Sequence, residues 1–153
     1  MGEALNAGEV CTRGVTIAFR KTPLNAAARL MRENHVGCLV VVDETAGANI
    51  VVGMLTDRDI VIAVVAADLD PSLLSVEDVM STELLTARED DSLIDLVRSM
   101  RRRGVRRLPV VGAQGELIGL VTMDDVLEVL AQEFAVLVEA IASENLREHQ
   151  VRR

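Results

Sequence analysis

The run Gly53-Met54-Leu55-Thr56-Asp57-Arg58-Asp59 returns as Gly119-Leu120-Val121-Thr122-Met123-Asp124-Asp125, so the pattern G-x-x-T-x-x-D is written twice in one chain. Upstream of it the likeness continues. An offset of 69 residues carries Thr22-Pro23-Leu24 onto Asp91-Ser92-Leu93, Met31 onto Met100, Val36 onto Val105 and Glu9-Val10-Cys11 onto Asp78-Val79-Met80. It also carries Leu39-Val40-Val41-Val42 onto Leu108-Pro109-Val110-Val111, then falls to 66 because the first copy has a longer loop after Asp43. A length difference confined to a Gly- and Asn-bearing loop is what a repeated unit tolerates.

Hydrophobic periodicity changes in the same order in both copies. A short strand, Val15 to Phe19 or Leu84 to Arg88, precedes an amphipathic helix with Leu24, Ala27, Ala28 and Met31, or Leu93, Leu96, Val97 and Met100, on one face. Two near-continuous apolar strands follow, Cys38 to Val42 with Ile50 to Leu55, and Leu108 to Val111 with Leu117 to Val121. A second helix opens at Thr56 or Thr122. The reading is an α/β (α+β) fold of two β-α-β-β-α units, with units at 8–68 and 76–132, a Pro-bearing linker at 69–75 and a helical extension at 133–153. Each unit is too small for a comfortable core of its own, so the two are expected to pack with pseudo-twofold symmetry around a cleft.

Composition narrows the function. Half of the 153 residues are hydrophobic, yet the aromatics are only Phe19 and Phe134, which leaves a core of Val, Leu, Ile, Ala and Met. The formal net charge of −8 disfavours nucleic acid and anionic lipid as partners. No apolar run is long enough for a membrane span and no basic-then-apolar leader opens the chain, so a cytoplasmic setting is expected. Two cysteines outside any C-x-x-C pair make no disulfide framework. No Ser/His/Asp set, phosphate-binding G-x-x-x-x-G-K-[ST] loop or H-E-x-x-H is present, which points away from an enzyme.

The repeated motif has two readings. At a strand-to-helix junction, unpaired N–H groups and the helix dipole suit a phosphate, the Thr56 or Thr122 hydroxyl adds a donor, and the Asp59 or Asp125 carboxylate can take vicinal ribose hydroxyls. T-x-x-D is also close to the capping box, in which the two side chains satisfy orphan donors of their own helix. Local pattern alone favours the cap.

The β-α-β-β-α repeat, the Gly53-to-Ile60 run and the Val105-Arg106-Arg107-Leu108-Pro109-Val110-Val111 run resemble tandem cystathionine-β-synthase-type (CBS) domains over residues 8 to 132. That resemblance implies a regulatory module taking AMP, ADP, ATP or S-adenosylmethionine, with no required cofactor. It implies contacts from Thr56, Asp59, Thr122 and Asp125, and an adenine wall from Thr16 and Ile17, from Thr86 and from Pro109. Val40 stands where the second copy has Pro109, which sets the two clefts apart. The resemblance also implies pairing into a homodimer that signals to a protein partner.

Six arginines fall within ten residues, Arg98, Arg101, Arg102, Arg103, Arg106 and Arg107. Arg98 and Arg101 to Arg103 read as the cationic end of a helix, whereas Arg106, Arg107 and also Arg58 are candidates to hold a phosphate tail. A metal or redox sensor built on Cys11, His35 and Cys38 is a rival reading, without ligand spacing to support it. From Met123 onward, Leu127, Leu130, Phe134, Leu137 and Ile141 recur at alternating steps of four and three, a heptad-like seam expected at a subunit interface. A structural adaptor with empty clefts is the remaining alternative.

Overall fold

The computed structural model describes residues 5–151. Two three-stranded sheets form, one from β1 (Ile17–Phe19), β2 (Cys38–Thr45) and β3 (Ala48–Thr56), the other from β4 (Ala87–Arg88), β5 (Arg107–Val111) and β6 (Leu117–Thr122). In each sheet the outer short strand pairs parallel with the central strand, which pairs antiparallel with the last. A four-residue helix, α1 (Ala7–Val10), precedes β1, and α2 (Leu24–Asn34) and α4 (Leu93–Arg103) are the crossover helices. The closing helices are α3 (Asp57–Ile60), which runs on into a π-helical turn at Val61–Val65, and α5 (Met123–Val151). The fold is the α/β pair of repeats read from the sequence.

Local signals explain the element ends. Helix α2 buries Leu24, Ala27 and Met31 and stops at His35, which adopts the left-handed conformation (φ 53°) as the Val36 N–H reaches back to the Met31 carbonyl. Its counterpart α4 stops at Gly104 (φ 65°), with Val105 bonded to Met100 in the same way. His35 is therefore a helix terminator. The longer loop expected after Asp43 is instead an extension of β2 and β3, closed by Ala46 (φ 51°) and Gly47 (φ 79°). Two consecutive positive φ values make the tight hairpin turn that matches strand twist.

The cores are not assembled from contiguous repeats. Sheet one and α2 bury Leu39, Val41, Leu55 and Leu24 together with Val76, and Leu74, Val79 and Met80 pack against the same cluster. Sheet two and α4 bury Leu96, Met100, Leu108 and Val121 together with Ala7, with Val10 and Cys11 packed alongside. The segment that opens each repeat in sequence thus completes the core of the other half. Matching backbone bonds hold the exchange: Ala7 and Gly8 donate to Asp91 and Glu89, and Val76 and Glu77 donate to Thr22 and Arg20.

After each exchanged segment the chain crosses the opposite sheet edge. Ser81 exchanges two backbone bonds with Met54, at 2.9 and 3.0 Å, and Thr12 does the same with Leu120, both at 2.9 Å. This crossing shortens the first strands, which begin at Ile17 and Ala87 rather than at Val15 and Leu84, because the preceding residues are still leaving the other sheet. It also explains the motif glycine. A Cβ on Gly53 would sit 2.9 Å from the Ser81 carbonyl oxygen, and one on Gly119 would sit 2.7 Å from that of Thr12.

Gly53→Ala and Gly119→Ala are each expected to lose about 1–3 kcal/mol in urea denaturation, since the obstructing atom is backbone. Gly14→Ala, with nothing within 4 Å, should be close to neutral. Equal stability in all three variants would refute the close-approach role.

Candidate ligand-binding cleft

Thr56 ends β3 in an extended conformation and is the N-cap of α3. The Asp59 N–H donates to Thr56 Oγ1 at 3.1 Å, and the Thr56 N–H donates to Asp59 Oδ2 at 2.9 Å. The second copy repeats this with Thr122 and Asp125 at 3.2 and 2.8 Å, and the Thr122 hydroxyl donates to Asp125 Oδ2 at 2.8 Å. Both motifs are capping boxes. Other first-turn donors are also engaged: Asp57 donates to the Gly37 carbonyl at 3.0 Å, Arg58 to Asp57 Oδ1 at 2.7 Å and Met123 to the Arg106 carbonyl at 2.8 Å.

This corrects the expectation that the start of α3 offers free N–H groups to a phosphate, because Asp57, Arg58 and Asp59 have already spent theirs within the chain. One carboxylate oxygen is left over in each motif. Asp59 Oδ1 and Asp125 Oδ1 accept no hydrogen bond among the described residues, so a cap and a ribose contact are compatible on one side chain.

A cavity of about 430 Å³ opens beside the first motif, between the two halves. Its first wall is Met54, Thr56 and Asp59. The crossing segment supplies Ser81, Glu83, Leu84 and Leu85, and the turn from α4 into β5 supplies Arg103, Val105, Arg106 and Arg107. The volume falls in the range of small-molecule sites, and apolar walls with a few polar groups are their usual lining.

Of the residues expected at a site, Thr56, Asp59, Arg106 and Arg107 meet at this cavity. The others lie elsewhere. Thr122 and Asp125 stand at the equivalent place on the second sheet, where Thr12 bridges Leu120. Thr16 and Ile17 are half-buried at β1, Thr86 and Arg58 are exposed, and Pro109 is buried in β5 opposite Leu120. None of these seven lines the cavity.

Arg103, read from sequence as part of a solvated helix end, faces the cavity, because the left-handed turn at Gly104 folds the chain back toward Arg106. Leu84 and Leu85 were legible as strand residues, but not as cleft wall. The signal that finds them is Ser81 on Met54, a contact between segments far apart in sequence.

Cys11 lies against Gly119, whereas Cys38 opens β2 opposite Thr56, and His35 terminates α2. Among the described residues no three His, Cys, Asp or Glu side chains are gathered as a metal ion would require. Burial pushes both thiols above the ordinary cysteine value, and the nearby Glu89 and Asp125 for Cys11, or Asp57 for Cys38, act in the same direction.

Two β-α-β-β-α units with exchanged openings and a cleft between them define a tandem pseudo-symmetric repeat. The family model of the CBS domain matches residues 7–66 and 76–132, and the chain belongs to that family. CBS pairs are regulatory, ligand-binding modules. An uncharacterised protein of Methanopyrus kandleri is 36% identical over 126 residues, a match covering 82% of this chain and 63% of that relative. Hypoxic response protein 1 of Mycobacterium tuberculosis is 33% identical over 138 residues, 90% of this chain and 94% of that one. Its crystal structure, described with two coordinated zinc ions, superposes with a TM-score of 0.70 over 80% of this chain and 97% of that chain. The cytosolic domain of the Mg2+ channel MgtE in complex with ATP is 27% identical, with a TM-score of 0.70 over 83% of this chain and 49% of that chain.

Because folding raises the affinity of both thiols for their protons, unfolding releases protons once the pH passes the unfolded thiol value. The thiol contribution to stability is complete below that value and is lost as the pH climbs toward the folded one. Urea melts of wild type and Cys38→Ala between neutral pH and about 10 should show a smaller alkaline loss in the variant. Identical losses would show that burial of Cys38 carries no linkage.

Proposed function

We propose that the chain is a regulatory module that binds an adenosine-containing nucleotide, AMP, ADP, ATP or S-adenosylmethionine, in the cleft between its repeats and signals to a protein partner. One observation carries the reading: a single cavity is lined by an acid and a hydroxyl, Asp59 and Thr56, by guanidiniums, Arg106 and Arg107, and by the apolar Met54, Leu84 and Leu85. Acid for ribose, apolar wall for a base and guanidinium for phosphate are the three chemistries of a nucleotide. The ATP bound by the MgtE domain supports the choice of ligand class.

In this reading residues 8–68 and 76–132 are the sensing halves, 69–75 links them and 133–153 is the helical extension, in a cytoplasmic protein that is not an enzyme. Thr122 and Asp125 serve the second cleft, with Thr16, Ile17, Thr86 and Pro109 as the more distant walls and Arg58 as an outer cation. A ligand spanning both halves acts only through a preference for one of their arrangements.

Thermal shift and calorimetry on wild type, Asp59→Ala and Asp125→Ala test the proposal. Ligand at about a hundred times Kd should add ~2.7 kcal/mol of apparent stability. At least one of the two substitutions should weaken that gain. No shift with AMP, ADP, ATP or S-adenosylmethionine would reject the reading.

A homodimer joined along α5 is the assembly we favour. Among the described residues α5 docks on its own half through its first turns, with Met123 and the fully buried Val126, while Leu127, Leu130, Phe134, Leu137 and Ile141 are half or more exposed. A stripe repeating at steps of four and three is self-complementary, which fits a second copy of the same helix. Phe134→Glu with Leu137→Glu should halve the mass measured by light scattering. A wild type of monomeric mass would dismiss the dimer, and partner capture lost on truncation after Gln132, with nucleotide binding absent, would favour an adaptor.

A further inference from the structure

The halves repeat one fold, so each residue edging the cleft has a counterpart at the same place in the other half. Thr56 and Asp59 correspond to Thr122 and Asp125, and the capping geometry recurs with them. The cations do not recur. Arg103, Arg106 and Arg107 edge the cavity, and at the 69-residue offset stand Asn34, Gly37 and Cys38.

The second set is not merely neutral. Asp57 Oδ2 lies 3.2 Å from the place a Gly37 Cβ would take, so a carboxylate packs where the other half begins its arginine pair. The counterpart of Asp57 is Met123, which carries no charge. The Cys38 thiol feels this setting, being raised first by burial and also by Asp57, with Arg107 opposing. The three guanidiniums of one rim thus have no counterpart at the equivalent positions of the other, where an acid packs instead.

The arginines are also available. Among the described residues Arg103 and Arg107 make no ion pair, and Arg106 meets Asp124 at 3.3 Å with both side chains largely in solvent, an interaction of little strength. Arg103 closes α4 and Arg107 opens β5, so the left-handed Gly104 turn sets all three along one edge. Guanidiniums on a common edge suit several phosphate oxygens, and they repel a sulfonium such as that of S-adenosylmethionine.

Building on the nucleotide reading above, we infer that the Thr56–Asp59 cleft selects ribonucleosides carrying two or more phosphates, held by Arg103, Arg106 and Arg107, and that each chain takes one such ligand. The Thr122–Asp125 cleft offers no comparable seat for a phosphate chain. The phosphates distinguish between nucleotides here, while the acid and hydroxyl recognise what all of them share.

Calorimetry on the full chain with ATP, AMP, S-adenosylmethionine and inorganic tripolyphosphate, at low and raised salt, tests this. ATP should bind at one per chain and at least about tenfold more tightly than AMP, and the gap should narrow as salt screens the arginines. Arg106→Gln with Arg107→Gln, both exposed and therefore compatible with folding, should abolish the gap while AMP still binds. Arg98→Gln, paired with Asp95 on α4, should preserve it.

Equal affinities for ATP and AMP in wild type, two ATP per chain, or a gap that survives loss of both arginines would each overturn the inference while leaving nucleotide sensing intact. Tripolyphosphate as tight as ATP would also overturn it, by showing a site for bare polyphosphate. Absence of binding by every adenosine ligand would instead remove the sensing reading, and this inference with it.

Discussion

The reciprocal exchange of opening segments is the constraint from which the rest of the molecule follows. Ala7 is buried in the second core and Val76 in the first, so neither half has a complete interior without chain that belongs, in sequence, to the other. Small units of this size are marginal alone, and the exchange turns two marginal cores into one cooperative structure. The crossing strands then run over the sheet edges so closely that the facing residue must be glycine, at 53 and at 119. The cleft is what remains between each crossing segment and the helix start beside it.

That origin places the motif threonine and aspartate of each half at a helix start. Their capping bonds hold the helix start rigidly at the floor of the cleft and use a single carboxylate oxygen. The other oxygen accepts no hydrogen bond among the described residues, while its partner oxygen is held by the cap, an arrangement that favours preorganised binding. Because a carboxylate has two oxygens, the cap leaves one on each side chain for the ribose contact proposed above.

Charge is distributed against the symmetry of the fold. The chain as a whole is acidic, with a net charge of −8, yet Arg103, Arg106 and Arg107 gather at one rim of one cleft. The equivalent rim pairs Gly37 and Cys38 with Asp57. The two frames are equivalent in fold, and they differ in which of them carries arginines at the three compared positions. Backbone geometry tolerates this divergence: Arg103, Arg106 and Arg107 are exposed, whereas Cys38, at the place of Arg107, is buried.

The repeat, the element order and most of the buried faces were legible in the residues themselves, because period and offset are properties of the linear chain: Leu24, Ala27, Ala28 and Met31 read as one helical face, and all but the exposed Ala28 are buried. The capping box was legible too, since its partners lie three residues apart. Burial of Ala7 in the far core, the demand for glycine at 53 and 119, the placing of Leu84, Leu85 and Arg103 on a cleft wall, and the separation of Cys11 from Cys38 were decided only by the tertiary structure. Each depends on segments far apart in sequence meeting across a crossing that no local pattern encodes, so proximity along the chain could not reveal it.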